Sequence, residues 1–211
     1  MSEPLSAEDL SNIVPVSRET YDRLNLLVSE LRRWQAVKNL VGPRTLNEVW
    51  SRHIADSLQL LALEPERKAW LDLGSGAGFP GLVIGIAGRS RPGRHVDLVE
   101  SNSRTCSFLR HAARRTYASA SIHEARLEAV IPAFAGKVDV VTARALASLR
   151  QLVAWTSPLL ETGTVGLFPK GRDAEAELTE ARESWRFDAD VIPSRTDPDA
   201  RIIRVRHLQE R

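Results

Sequence analysis

The sequence predicts an α/β protein: a seven-stranded, mainly parallel sheet with a C-terminal antiparallel hairpin, preceded by a helical extension. Three observations carry this reading. From Ala69 onward, short apolar runs alternate with segments of helical period, the order that parallel strands with crossover helices require. The first of these runs, Ala69–Leu73, breaks into Gly74-Ser75-Gly76-Ala77-Gly78-Phe79-Pro80-Gly81 and then continues as an apolar helical segment. The last two runs lie only about ten residues apart. A parallel crossover needs a dozen or more, so these two are expected to pair antiparallel.

In the N-terminal part, Ser17 to Lys38 reads as an amphipathic helix. Leu24, Leu27, Val28, Leu31 and Trp34 recur at helical spacing. Ser17 caps it, with Glu19 and Thr20 in the first turn, and Asn39-Leu40-Val41-Gly42-Pro43 closes it. Thr45 to Leu63 reads as a second helix, opened by a capping box of Thr45 and Glu48. Val49, Ile54, Leu58 and Leu61 share its apolar face. Residues 1–66 are thus expected to form a helical extension packed on a core domain of residues 67–211. Trp34, Trp50 and Trp70 are expected to pack these helices on the sheet.

In the core, strands are expected at Ala69–Leu73, His95–Glu100, Ser119–His123, Val138–Thr142, Gly163–Phe168, Phe187–Ile192 and Ile202–His207. Helices are expected at Leu82–Ala87, Asn102–Tyr117, Leu146–Leu160 and Ala174–Trp185, with a short helical turn at Ala125–Val130. Pro80 suits the first position of its helix, where a missing N–H is no loss.

A length of 211 residues suits one domain with a sizeable core and a modest extension. The single cysteine, Cys106, excludes an internal disulfide framework and leaves no cysteine cluster for zinc. It is read as a small buried hydrophobe, and no metal site is expected. Met1 to Leu10 lacks the apolar core of a secretory signal, and no apolar run has membrane-spanning length. A cytoplasmic monomer with no membrane contact is expected. The formal charge is only +2. Its arginines nonetheless cluster locally, which permits a nucleic-acid patch without requiring one.

The glycine loop is the main chemical signal. Glycines let the backbone turn sharply and let a ligand approach it, and the following helix start offers unpaired N–H groups. Glu100 ends the next apolar run, where such folds place a ribose-binding carboxylate. Dinucleotide loops space their glycines Gly-x-Gly-x-x-Gly. Here the third glycine comes one residue early, and Phe79 occupies the space where phosphates would lie. S-adenosylmethionine, a nucleoside cofactor without phosphates, fits better. The plainer alternatives are a structural turn and a solvated strand-end acid. A nucleotide-dependent oxidoreductase and an RNA-binding module with a dead cofactor loop also compete. The spacing and Phe79 weigh against the first, and the intact loop with Glu100 weighs against the second.

Other residues carry weaker signals. His53 and Asp56 lie three apart on one helical face, as a catalytic dyad or, preferably, as a pair that docks the helix. Asp72 is read as orienting the loop backbone. Arg32, Arg33, Lys38, Arg44 and Arg52 flank the N-terminal helices. Arg104, Arg110, Arg114 and Arg115 spread around one helix, and Lys170 and Arg172 follow the fifth strand. The basic residues near the ligand edge of the sheet are the candidate RNA contacts.

The chain resembles the bacterial glucose-inhibited division protein B family, methyltransferases that make 7-methylguanosine in small-subunit (16S) ribosomal RNA. The resemblance rests on Asn39-Leu40-Val41, on Arg52 to Leu58, on the loop Leu71 to Gly81 with its unusual Pro80-Gly81, on Ala143 to Leu149, and on Phe168 to Gly171. Ala143 and Leu146 depart from the family's pattern there. The resemblance implies a Rossmann-like methyltransferase fold with S-adenosyl-L-methionine as cofactor. It further implies that Gly74, Gly76, Gly78 and Phe79 line the cofactor and that Glu100 holds its ribose. Leu127 and Glu128 would sit at its adenine end, and Arg144 at its methionine portion or the transfer site. Ribosomal RNA or the small subunit would be the partner, with Lys170, Arg172, Arg52 and His53 as candidate contacts. Transfer to guanine N7 removes no proton at that atom, so no general base is demanded, and Arg144 is the one candidate catalytic residue. A methyltransferase of the same fold acting on a small molecule or protein is the alternative, because folds host many functions.

Overall fold

Strands β1 (Ala69–Leu73), β2 (His95–Glu100), β3 (Ala120–Glu124), β4 (Val140–Ala143), β5 (Val165–Lys170), β6 (Arg186–Pro193) and β7 (Arg201–Gln209) form one sheet. Their order is β3-β2-β1-β4-β5-β7-β6. The structure is a computed structural model and describes residues 5–35 and 46–209. Strands β1 to β5 pair in parallel. Strand β7 lies antiparallel between β5 and β6, so the expected closing hairpin is present. The order reverses between β2 and β4, on either side of β1, which opens a crevice at the C-terminal ends of these strands.

The described helices are α1 (Ala7–Ser11), α2 (Arg18–Gln35), α3 (Asp56–Leu63), α4 (Gly81–Ala87), α5 (Ser103–Thr116), α6 (Leu127–Val130), α7 (Leu149–Leu160) and α8 (Ala174–Ser184). They cover both sheet faces, because alternate strand residues point to opposite sides. Trp70 joins one apolar cluster with Leu24, Leu27 and Leu31 of α2, Leu58 of α3 and Phe108 of α5. Its neighbours Leu71 and Leu73 join another with Val153 of α7, Phe168 of β5 and Ile203 of β7. The N-terminal helices therefore share a core with the sheet. Trp50 stacks on Tyr21 and Trp34 meets Phe108 edge-on, so the tryptophans pack as expected. Cys106 is fully buried.

Several local expectations are corrected. Helix α7 begins at Leu149 rather than Leu146, because Ser148 caps it by accepting the Gln151 N–H. Residues 144–148 instead bend past the end of β4, with Ala145 at φ 53°. Pro80 stands one residue before α4, because Asp72 Oδ2 already takes the Gly81 N–H at 3.1 Å. A capping box of Ser6 and Asp9 opens α1, in a stretch that reads from sequence only as polar. The second N-terminal helix is not uniform, since Trp50–Ala55 is a π-helical turn leading into α3. Ser17 does cap α2, accepting the Thr20 N–H at 3.1 Å. Thr45 with its capping box, Asn39 to Pro43, Lys38 and Arg44 lie outside the described residues. Among the described residues, no helix is long and apolar enough to cross a membrane.

Candidate active site

The glycine loop joins β1 to α4, and its three glycines do different work. A Cβ on Gly76, at φ +51°, would meet nothing closer than the Gly74 carbonyl oxygen, at 3.9 Å. A Cβ on Gly74 would meet only the tip of Leu146, at 2.6 Å. A Cβ on Gly78 would strike Leu82 at 2.5 Å and also approach Leu109, so this glycine serves packing. Gly74 and Gly76 are the two partly exposed glycines of the loop, and the side left uncovered is at Gly76.

Beneath the loop lies Asp72, fully buried. Its Oδ2 accepts from Gly81 and its Oδ1 has no partner among the described residues. Ser75 Oγ donates to the Asp72 carbonyl at 3.0 Å. This is the loop-orienting role expected of Asp72. Burial pushes its carboxyl up to about 7, against the lowering influence of Ser75, the Gly81 N–H and Arg144.

Glu100 ends β2 beside the loop. One carboxylate oxygen accepts the Gly76 N–H at 3.0 Å, and the other accepts the Asn102 N–H at 2.8 Å. The turn after β3 reaches the same place, since the Ala125 N–H donates to the Glu100 carbonyl at 3.1 Å. It carries half-buried Leu127 and exposed Glu128 at the start of α6. The residues expected to hold a nucleoside thus converge at the C-terminal edge of β1, β2 and β3. The open face over Gly76, with a carboxylate at its rim, fits such a group.

Arg144 lies on the other side of the loop. Its Nη1 donates to the Arg52 carbonyl at 2.8 Å and to Asp56 Oδ2 at 3.2 Å. Its Nη2 donates to His53 Nδ1 at 2.7 Å. The His53 ring stacks on Phe79 with centroids 4.7 Å apart, and Arg144 sits 5.8 Å from the Phe79 centroid. Burial, with Arg144 and Arg52 nearby, pulls the His53 imidazole down to about 3. His53 and Asp56 form no dyad. Asp56 also accepts from Gln59 at 2.6 Å and from Thr196 at 2.9 Å, so it docks the β6–β7 loop. Phe79 is buried in this stack and presents no broad face.

Next to Arg144 a cavity of about 610 Å³ opens between the π-helical turn, the bend after β4, the end of β5 and the β6–β7 loop. Arg52, His53, Asp56, Arg144, Lys170 and Thr196 are among its walls. Arg52 is exposed at its rim, with Glu48 at 3.7 Å. Lys170, expected to reach RNA, turns inward. Its side chain is 8% exposed, and its ammonium is held by Glu177 at 2.7 Å and the Ala147 carbonyl at 2.6 Å. Arg172 is 82% exposed and pairs with Asp199. Arg110, Arg115 and Arg33 pair with Glu124, Glu30 and Glu30 respectively, while Arg32, Arg104 and Arg114 are exposed. Sequence reasoning missed Gln59 and Thr196, which join elements far apart in the chain and carry no local signal.

Solved structures share this architecture. An O-methyltransferase from Bacillus cereus in complex with SAH superposes with a TM-score of 0.58 at 14% identity, over 95% of this chain and 96% of that one. A cofactor-bound Rv0187 gives a TM-score of 0.59 at 12% identity, over 96% and 98%. The fold is that of the Rossmann-like methyltransferases. The family model for rRNA small subunit methyltransferase G matches residues 20–200. Relatives of that name include one from Methylorubrum populi, 64% identical over 92% of this chain and 91% of its own length. Another, from Parvibaculum lavamentivorans, is 50% identical over 97% and 90%. The chain belongs to the rRNA small subunit methyltransferase G family.

The buried Asp72 makes a signed prediction. An acid whose folded value is raised binds protons more tightly when folded, between its unfolded value near 4 and its folded value. Its contribution to stability is full below about pH 4 and is lost as pH rises to about 7. Asp72→Asn cannot ionise, so its stability relative to the parent should rise between pH 4.5 and 7.5. Urea midpoints at the two pH values measure this, and a pH-independent difference would contradict it.

Proposed function

We propose that this chain transfers a methyl group from S-adenosylmethionine to N7 of a guanine in small-subunit (16S) ribosomal RNA. One observation supports this most directly. The open glycine face with Glu100 and the 610 Å³ cavity lie on either side of Arg144, at the C-terminal edge of the sheet. Such an arrangement holds a nucleoside cofactor on one side and an RNA base on the other. Family membership names the RNA.

On this reading Glu100 accepts the ribose hydroxyls, with Leu127 and Glu128 at the adenine and Gly74, Gly76, Gly78 and Phe79 shaping the loop. When bound, the cofactor's sulfonium supplies an already activated methyl group. The chain's own residues align the acceptor and exclude water. In-line positioning of this kind provides several kcal/mol of acceleration. Guanine N7 offers a free lone pair, so no proton leaves it and no side chain need act as base. His53 is unsuited to that task, because its Nδ1 lone pair already accepts from Arg144. Arg144 bounds both halves of the site. The exposed arginines Arg52 and Arg172 would meet phosphates, a contact that salt weakens. Lys170 would brace the cavity floor through Glu177.

Two measurements test this. Glu100→Ala should weaken S-adenosylmethionine binding by roughly 1–3 kcal/mol, the range for a lost charged hydrogen bond. Calorimetry on a variant that melts like the parent reads this, and unchanged affinity would remove Glu100 from the site. Incubated with purified small subunits or extracted RNA, the chain should yield 7-methylguanosine by nucleoside mass spectrometry. Methyl on a base carbon, an exocyclic amine or a ribose would overturn the chemistry. Transfer only to a protein or metabolite would overturn the substrate.

A further inference from the structure

We propose that His53 is a positioning residue, whose Nδ1 lone pair fixes the Arg144 guanidinium between the cofactor face and the cavity. The inference rests on the reading that Arg144 serves transfer. Three acceptors within one stretch of chain meet this guanidinium: the Arg52 carbonyl, His53 Nδ1 and Asp56 Oδ2. The histidine contact is the shortest of the three at 2.7 Å, and the Asp56 contact is the longest at 3.2 Å. Asp56 also serves Gln59 and Thr196, so its hold on Arg144 is shared.

An imidazole is an unusual acceptor for arginine, and its chemistry gives the reason. Accepting at Nδ1 requires the neutral ring and leaves the proton on Nε2. The hydrogen bond therefore orients Arg144 without cancelling its charge, as a second carboxylate would. Nε2 is itself buried with no partner among the described residues. An unsatisfied buried donor lowers stability. A hydrophobic ring would fill this space without that cost, so the ring nitrogen is kept for what Nδ1 does. The parallel stack on Phe79, 15° between planes, sets the direction in which Nδ1 points. The π-helical turn carries Arg52 and His53 together, and such turns concentrate at functional sites.

The test uses the full chain, with methyl transfer to small-subunit RNA at saturating cofactor, RNA KM and thermal melting as readouts. In His53→Phe, which keeps the stack and loses the acceptor, kcat should fall at least about tenfold with little change in melting. In His53→Asn the amide oxygen lies near the former Nδ1, and kcat should return to within about threefold of the parent. In His53→Gln the oxygen reaches toward the Nε2 position, and kcat should stay low. RNA KM should move less than kcat in all three. Parent-like kcat in a folded His53→Phe would overturn the proposal, as would equal rates in the Asn and Gln variants. If the Phe variant does not fold, the Asn–Gln contrast decides. Arg144→Ala separates the two levels. Folded and fully active, it would refute the reading of Arg144 itself. Folded and impaired, beside indifferent His53 variants, it would refute the positioning role alone.

Discussion

The contact between Arg144 and the N-terminal helical turn is the constraint on which the site depends. Arg144 stands just past β4, and its partners Arg52, His53 and Asp56 come from a segment that precedes the sheet entirely. Their meeting closes one wall of the cavity and fixes where the bend after β4 lies. The pair is partly buried, with Arg144 and Asp56 side chains 20% and 18% exposed. Removing one member of a desolvated pair strands the other, so such contacts specify geometry more than they add net stability. Asp56 extends the constraint to the β6–β7 loop through Thr196 and Gln59, and Arg204 of β7 adds an ion pair to Glu64 at 3.2 Å. Three segments distant in sequence are thereby held around one opening.

The second fixed point is the carboxyl of Asp72. Strand alternation turns it to the face that α4 covers, where it holds the Gly81 N–H and so sets where that helix begins. A Cβ at Gly81 would stand 2.6 Å from Asp72 Oδ2, so close approach explains this glycine. Together Asp72 and Glu100 brace the loop from below and from the side. The loop is held in this shape by contacts within the chain.

The alternation of apolar runs made the sheet legible, and the short β6–β7 separation made the antiparallel hairpin legible, because both follow from strand period and connection length. Glu100 was legible for the same reason: it ends a strand next to the glycine loop. The bend at 144–148 was not, since Leu146 and Ala147 suit a helix and only the Ser148 cap stops them. The π-helical turn leaves no mark in residue spacing. The inward turn of Lys170 depends on Glu177, which α8 brings over the end of β5. The spacing of His53 and Asp56 was visible, but their shared partner lies some ninety residues on. Local pattern therefore found the residues gathered around the glycine loop, whereas the cavity side is built from long-range polar contacts.

If the N-terminal helical turn is part of the site and not merely packed behind it, cofactor binding must change its protection. Amide hydrogen exchange with and without S-adenosylhomocysteine tests it most directly. Added protection is expected in the loop at 74–81 together with residues 50–63 and 144–148. Protection confined to the loop, with 50–63 exchanging as in the ligand-free chain, would contradict it.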